Sequence, residues 1–109
     1  MRILVLGVTT LALVAVSGVA LAKDVSKSGR SMCTWGSGIA AGAQEAKLSG
    51  VTLYGARNKL QNRKFPQPWM RMTAMGITEQ TYKSTSRLKP AAIKQTYYEQ
   101  CIKHEQARR

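Results

Sequence analysis

Acidic residues and histidine are scarce in this chain of 109 residues, which has five Asp and Glu, one His and two Cys beside seventeen Lys and Arg. A metal site needs several clustered ligands, so the sequence predicts neither a metal nor another cofactor. After Asp24 the only carboxylates are Glu45, Glu79, Glu99 and Glu105. Their spacing does not single out an acid/base pair, and phosphate-loop and nucleophile-elbow motifs are absent. We therefore expect a protein that is not an enzyme and has no catalytic residues.

Long apolar segments are also missing after residue 22. Residues 1–22, MRILVLGVTTLALVAVSGVALA, have one Arg near the start, an apolar stretch from Ile3 to about Val16, and Ala-Leu-Ala at the end. This pattern is typical of a secretory signal peptide that is cleaved after Ala22. No second apolar run of about 20 residues follows. We expect an exported protein, periplasmic or secreted, that is not transmembrane after cleavage.

The excess of basic residues narrows the class of partner. The formal net charge is +12, and about +11 remains when residues 1–22 are left out. A positive charge of this size favours anionic partners and speeds association with them. Lys and Arg also serve simply to keep a surface soluble. Outside the cytoplasmic membrane the candidate partners are an envelope or secreted protein, which we favour, and anionic lipid or lipopolysaccharide. Export argues against nucleic acid.

The two cysteines, Cys33 and Cys101, permit a single pairing. Disulfides persist outside the cytosol, so we predict a Cys33–Cys101 disulfide worth about 4 kcal/mol by its loop-closure entropy. A lipoprotein cysteine would directly follow the cleavage site, whereas Cys33 lies further along the chain. A catalytic cysteine activated by His104 is the remaining alternative, and a single His at a helix edge is more often structural.

The pattern of apolar residues predicts an all-α fold, a small four-helix domain, because no useful stretch shows the alternation typical of strands. We place a flexible mature N-terminus at residues 23–32, the helical domain at 33–105 and a basic C-terminal tail at 106–109. The disulfide would link the start of the first helix to the end of the last. This requires the two outer helices to pack antiparallel.

Caps and prolines indicate where the helices begin. The first helix is predicted over residues 34–48, and Thr52 is a good cap for a short second helix that ends before residues 61–64. Proline is favoured at a helix start, so Pro66 and Pro68 prevent a continuous helix through this link and either can begin a third helix, which is predicted over residues 67–83. In the same way Pro90 begins a fourth helix that continues to about His104.

Small residues give the first helix a packing surface. Gly38 and Gly42 lie one turn apart, and the absence of side chains lets another helix approach closely. The segment is too polar and too short to span a membrane, since Gln44, Glu45 and Lys47 interrupt it. We predict that this small-residue face meets the fourth helix.

The third helix has two apolar faces. Met70, Ala74 and Ile77 share one of them, and Met72, Met75 and Tyr82 share the other. Either the helix is central and packs on both sides, or one face stays open and its methionines adapt to varied apolar partners.

Cations and aromatic rings alternate around the proline-broken link before this helix. Such a mixture can bind an anionic surface through its charge, with an aromatic ring anchored at the apolar boundary. The alternative interpretation is a solvated loop whose aromatic rings are buried in the core. The predicted partner-binding residues are Arg57, Lys59, Arg63, Lys64, Phe65, Trp69, Arg71, Met72, Met75 and Tyr82.

In layout the chain resembles the acid-stress periplasmic chaperones of the Hde type, with a signal peptide, a short helical domain, and cysteines early in SMC and late in YYEQCIKH. The separation of the two cysteines is long for that group, and the sequence between them differs. Small periplasmic immunity proteins share the same general build. These resemblances imply a chaperone-like or immunity-like role, although architecture does not fix function.

Three functions stay open at this point. We favour a non-enzymatic exported protein that binds an envelope protein through its basic, methionine-containing and aromatic surface. The first alternative is a binder of anionic lipid or lipopolysaccharide at the membrane surface, and the second is a small enzyme that acts on the cell wall.

Overall fold

The computed structural model describes residues 25–108, which form four α-helices and no strand. Helix α1 spans Lys27–Leu48, α2 spans Leu53–Asn62, α3 spans Pro68–Lys83 and α4 spans Pro90–Arg108. The predicted all-α fold is confirmed. Among the described residues, no helix is long and apolar enough to cross a membrane. The predicted signal peptide lies outside these residues.

Local signals define most of the helix ends. Ser26 caps α1 and Thr52 caps α2, each accepting a hydrogen bond of 3.0 Å from a backbone N–H of the first turn. These bonds satisfy donors that have no partner inside the helix. Pro68 and Pro90 are the first residues of α3 and α4, as predicted, because proline lacks an N–H that would be unpaired there.

The first helix begins earlier than predicted, at Lys27 rather than at about residue 34. The predicted start of the first helix is therefore wrong, since residues 27–32 are helical. Val25 is buried, and its carbonyl oxygen accepts a hydrogen bond of 2.7 Å from Arg30. A β-carbon built on Gly29 would lie 3.2 Å from Oε1 of Glu105. The first turn of α1 thus lies close to the last turns of α4.

The fourth helix is also longer than predicted, because it continues past His104 to Arg108. Residues 106–108, which we expected in a basic tail, are helical. An ion pair of 3.8 Å between Glu105 and Arg108 lies across this last turn, and cations favour the C-terminal end of a helix.

The predicted disulfide is present and sets the direction of the outer helices. Cys33 and Cys101 are bonded, with 5.6 Å between their Cα atoms. Because Cys33 lies near the start of α1 and Cys101 near the end of α4, the two helices run antiparallel along each other.

Helix α1 is the central element of the domain. It packs along α4 on one side and against α3 on another, while α2 packs mainly on α3. Within residues 25–108, no Cα atom of α3 lies within 8 Å of one in α4. The four helices therefore form an open arrangement in which α1 separates α4 from the α2–α3 pair.

The apolar core is small and consists mostly of aliphatic and alanine side chains. Its buried members are Ile39, Ala40, Leu60, Ala74 and Ile77. Around them pack the half-buried side chains of Trp35, Phe65, Met75, Ile93 and Tyr97. A core of this size supplies little stabilisation by burial alone, so the disulfide contributes a large share of the stability.

The approach of α1 to α4 takes place at a different glycine from the predicted ones. A β-carbon built on Gly36 would lie 2.8 Å from Cε1 of Tyr97, whereas one on Gly38 or Gly42 would meet nothing within 4 Å. Both of those glycines border a shallow groove beside Leu60 of α2. The prediction that Gly38 and Gly42 face the fourth helix is wrong, because that face of α1 points toward α2.

The segment between α3 and α4 is attached to α1 by a lysine. Nζ of Lys47 donates hydrogen bonds to three carbonyl oxygens, at 3.1 Å to Thr81, 2.9 Å to Ser84 and 3.1 Å to Ser86. A charged donor makes stronger hydrogen bonds than a neutral one. Lys47 thus caps the end of α3 and fixes the start of the connection to α4.

Candidate functional site

Two arginines share one aromatic ring at the corner between α2 and α3. The guanidinium carbon of Arg63 lies 5.1 Å from the centre of the Phe65 ring, and that of Arg71 lies 5.5 Å from it. Nη2 of Arg71 also donates a hydrogen bond of 2.9 Å to the carbonyl oxygen of Arg63. Each cation–π contact is worth about 0.5–1 kcal/mol at an exposed site. The ring and the carbonyl together hold the guanidinium of Arg71.

The positive charge of this corner is not neutralised within the described chain. The ion pairs among residues 25–108 are Arg57 with Glu79 and Arg108 with Glu105, so neither Arg63 nor Arg71 has a carboxylate partner. The Nε atom of Arg71 is buried without a hydrogen-bond partner. Like charges held close together repel each other and favour the approach of an anion.

Trp69, which lies between the two arginines in the sequence, is in contact with a second tryptophan. Trp69, in the first turn of α3, meets Trp35 of α1 edge to face, with 6.0 Å between ring centroids and an interplanar angle of 74°. Trp69 nevertheless keeps 43% of its surface exposed. One part of the ring is therefore fixed against the fold while the rest faces solvent.

Further exposed side chains lie near these residues in the sequence, on α2, on α3 and in the link between them. Met72 follows Trp69 by one turn and is 77% exposed, while Lys59 precedes Arg63 by one turn and is exposed, as is Lys64. We name this group of side chains, which lie close together in the sequence, the cationic patch. It comprises Lys59, Arg63, Lys64, Phe65, Trp69, Arg71 and Met72.

Three of the predicted partner-binding residues make contacts with other residues of the protein. Nε of Arg57 pairs with Glu79 at 3.4 Å, and Met75 packs against the apolar core. The hydroxyl of Tyr82 donates a hydrogen bond of 2.8 Å to the carbonyl oxygen of Val51, and burial raises the pKa of Tyr82. The second apolar face of α3 is therefore exposed to solvent at Met72. At Met75 and Tyr82 the same face is in contact with the rest of the protein.

Trp35 is not among the predicted partner-binding residues, although it packs edge to face against the exposed Trp69. It lies far from Trp69 in the sequence, so no local pattern indicated this contact.

The residues considered for catalysis have other contacts or lie alone. Both cysteines are in the disulfide, so neither supplies a thiolate to His104, which is exposed. Glu99 is within 3.2 Å of the amide nitrogen of Gln95 and accepts its hydrogen bond. In the part of the chain that the structure describes, no three His, Cys, Asp or Glu residues are grouped so that they could hold a metal ion.

Fold and patch together define a small all-α protein with one disulfide and an exposed cationic and aromatic surface. The disulfide fits an extracellular or periplasmic protein. No protein-family model matches the chain, and no curated protein or solved structure is significantly similar to it.

Proposed function

We propose that this is an exported, non-enzymatic protein that binds an acidic protein of the cell envelope through the cationic patch. The observation that carries the proposal is the pair of guanidinium groups, those of Arg63 and Arg71, stacked on Phe65 without a carboxylate partner. An anion supplied by a partner would complete this arrangement.

The composition of the patch favours a protein as the partner. Arginine, tryptophan, phenylalanine and methionine are enriched at the centres of protein interfaces, and tryptophan and arginine dominate their binding energy. The planar fork of a guanidinium matches a carboxylate with two parallel hydrogen bonds. Because Phe65 holds the arginines and Trp35 holds Trp69, less side-chain freedom is lost on binding.

Charge supplies the complementarity that an acidic partner needs. The chain has a formal net charge of +12, and within residues 25–108 the patch contains no acidic residue. Complementary charge speeds association and makes it sensitive to salt. A role like that of an immunity protein would require one such partner, whereas a chaperone-like role would require many.

An anionic membrane surface is the second candidate. The exposed Trp69 and Met72 lie close in sequence to Lys64, and basic side chains beside exposed apolar ones favour the interface of anionic lipids. Lipopolysaccharide offers the same combination of negative charge and apolar chains. A small enzyme acting on the cell wall is a third possibility, which predicts loss of turnover on replacing a glutamate or His104.

Site-specific photo-crosslinking in the native cells tests the first proposal. The photoreactive residue p-benzoylphenylalanine is placed at position 72, where 77% of the side chain is exposed, and separately at the exposed position 94 of α4 as a control. We expect a discrete protein adduct from position 72 and none from position 94. Combined Arg63→Glu and Lys64→Glu changes should abolish the adduct, while Lys94→Glu with Lys103→Glu should leave it unchanged.

Other outcomes contradict the proposal. An adduct with the mass of a lipid, together with salt-sensitive binding to vesicles containing phosphatidylglycerol, would favour the second candidate. Equal adducts from positions 72 and 94, or an adduct that survives both charge reversals in the patch, would show that the patch does not select the partner. The absence of any adduct from position 72 would also count against it.

A further inference from the structure

A shallow groove lies between α1 and α2, which make only slight contact with each other. Most of its lining is apolar and comes from Ile39, Ala43 and Ala46 of α1 with Ala56 and Leu60 of α2. Its volume is about 290 Å³, just below the range of small-molecule sites. The groove is therefore better suited to part of a larger molecule that lies across it than to a small molecule enclosed in it.

Gly38 and Gly42 also line the groove, and the fold itself requires neither of them. A β-carbon built on Gly36 would lie 2.8 Å from the ring of Tyr97, whereas one built on Gly38 or Gly42 would meet nothing within 4 Å. A glycine in the middle of a helix destabilises it relative to alanine. Both residues are exposed, and the absence of their side chains lets the backbone of a second helix approach closely.

Two cations lie on the α2 side of the groove. Lys59, in the last turn of α2, and Arg63, the residue that follows this helix, both line it and are exposed. Neither forms an ion pair with a carboxylate of residues 25–108. Among the described residues that line the groove there is also no Asp or Glu. An occupant with carboxylates opposite Lys59 and Arg63 would therefore be complementary in charge.

An amphipathic helix fits these features better than other occupants do. Such a helix lays its apolar face into a groove through side chains three and four residues apart. An extended peptide pairs with the edge of a sheet, and residues 25–108 form no strand. A fatty acyl chain needs a site that encloses most of its surface, whereas this groove is shallow. A second copy of the chain, with its net charge of +12, would be repelled by the two cations.

We propose that the groove between α1 and α2 binds an amphipathic helix of the acidic partner, with the apolar face of that helix on Gly38 and Gly42 and its carboxylates beside Lys59 and Arg63. This inference rests on the proposed function, because Lys59 and Arg63 also belong to the cationic patch. It adds the kind of segment that the partner presents and the part of α1 that receives it.

Leucine substitutions that fill the groove test the proposal. Gly38→Leu and Gly42→Leu leave every charged side chain in place and improve helix propensity, so circular dichroism should show that both variants fold. Ala91→Leu, at an exposed position of α4, is the control. Binding is measured in the native cells by photo-crosslinking from p-benzoylphenylalanine at position 72. We expect each glycine substitution to reduce the protein adduct by about tenfold, because the helix can no longer approach α1, and Ala91→Leu to leave it unchanged.

An NMR titration of the disulfide-bonded protein, labelled with ¹⁵N, gives a second measurement that does not need the native partner. The ligand is a synthetic peptide of about 15 residues, long enough to form a helix, with leucine and alanine on one face and glutamate on the other. One comparison peptide has the same residues in an order without an apolar face, and a second has lysine in place of glutamate. We expect the first peptide to shift the amide signals of Gly38, Gly42 and Leu60, and both comparison peptides to bind about tenfold more weakly. Gly42→Leu should remove these shifts.

The two proposals fail in different ways. An adduct that is lost on the combined Arg63→Glu and Lys64→Glu changes but survives both leucine substitutions would overturn this inference and leave the proposed function standing. The absence of any adduct from the unchanged protein would contradict the proposed function and the inference that rests on it. Equal binding of the three peptides, stronger shifts of the groove signals with dodecanoate, or groove signals that change with protein concentration alone because a second copy fills the groove would also overturn it.

Discussion

Two alanine substitutions in α1, at glycines two positions apart, are expected to change stability in opposite directions. Gly36→Ala introduces a β-carbon 2.8 Å from Cε1 and 2.9 Å from the hydroxyl oxygen of Tyr97. Gly38→Ala introduces one with no neighbour within 4 Å. The pair therefore separates the intrinsic effect of alanine on the helix from the effect of close packing against α4.

The magnitudes follow from these two terms. Replacing a helical glycine with alanine gains about 1 kcal/mol, so Gly38→Ala should raise the free energy of unfolding by roughly that amount. At Gly36 the same gain is opposed by overpacking, which costs about 1–3 kcal/mol in a packed contact. The net result is a loss of about 1 kcal/mol. The two variants should thus differ by about 2 kcal/mol, or roughly 10 °C in melting temperature for a domain of this size.

Thermal unfolding followed by circular dichroism, with the disulfide intact, measures this difference. Tyr97→Ala provides the control, because Gly36→Ala in that background should stabilise the helix as Gly38→Ala does. If Gly36→Ala raises the melting temperature of the otherwise unchanged protein as much as Gly38→Ala, the ring of Tyr97 is not fixed against α1. The contact that we assign between α1 and α4 would then be wrong.

Two further predictions concern the links between helices. Replacing Cys33 and Cys101 with serine should lower the free energy of unfolding in urea by about 4 kcal/mol, because the disulfide closes a loop with a sequence separation of 68; an unchanged urea midpoint would contradict this. Lys47→Met removes a donor that serves three carbonyl oxygens and should cost about 1–3 kcal/mol. The exposed control Lys83→Met should cost less than about 0.5 kcal/mol, and equal losses would show that the hydrogen bonds of Lys47 contribute nothing.

Helix type, most helix ends and the disulfide could be predicted because their causes are local. Thr52, Pro68 and Pro90 act on the first turn of their own helix, and two cysteines leave one pairing. The start of α1 has a different cause. Its first turn lies against Glu105, which is distant in sequence, and no local pattern reports such a contact.

The periodicity of a helix shows which residues share a face, but not which neighbour that face meets. For this reason the sequence pointed to Gly38 and Gly42 as the contact with the last helix, whereas Gly36 makes it. The same limit applies to α3, where Met72 is exposed and Met75 packs against the core.

The candidate sites were predictable to different degrees. The alternation of basic and aromatic residues around Phe65 marks the cationic patch in the sequence itself. The separation of α3 from α4, in contrast, depends on two helices that do not pack on each other, which no sequence pattern encodes. One signal was present, because Gln44 follows the buried Ala40 by one turn and so places a polar group on the buried face of α1.

The disulfide also determines what a protease can do to this molecule. Cys33 and Cys101 enclose α2, α3 and both connections that flank α3. A single cut at any peptide bond between them, including the exposed bonds beside Ser84, leaves the two fragments covalently joined. Such a nicked molecule keeps its molecular mass apart from one added water, and α1 and α4 stay side by side. Two cuts within this loop, or one cut together with reduction, are required before any fragment of the loop is released.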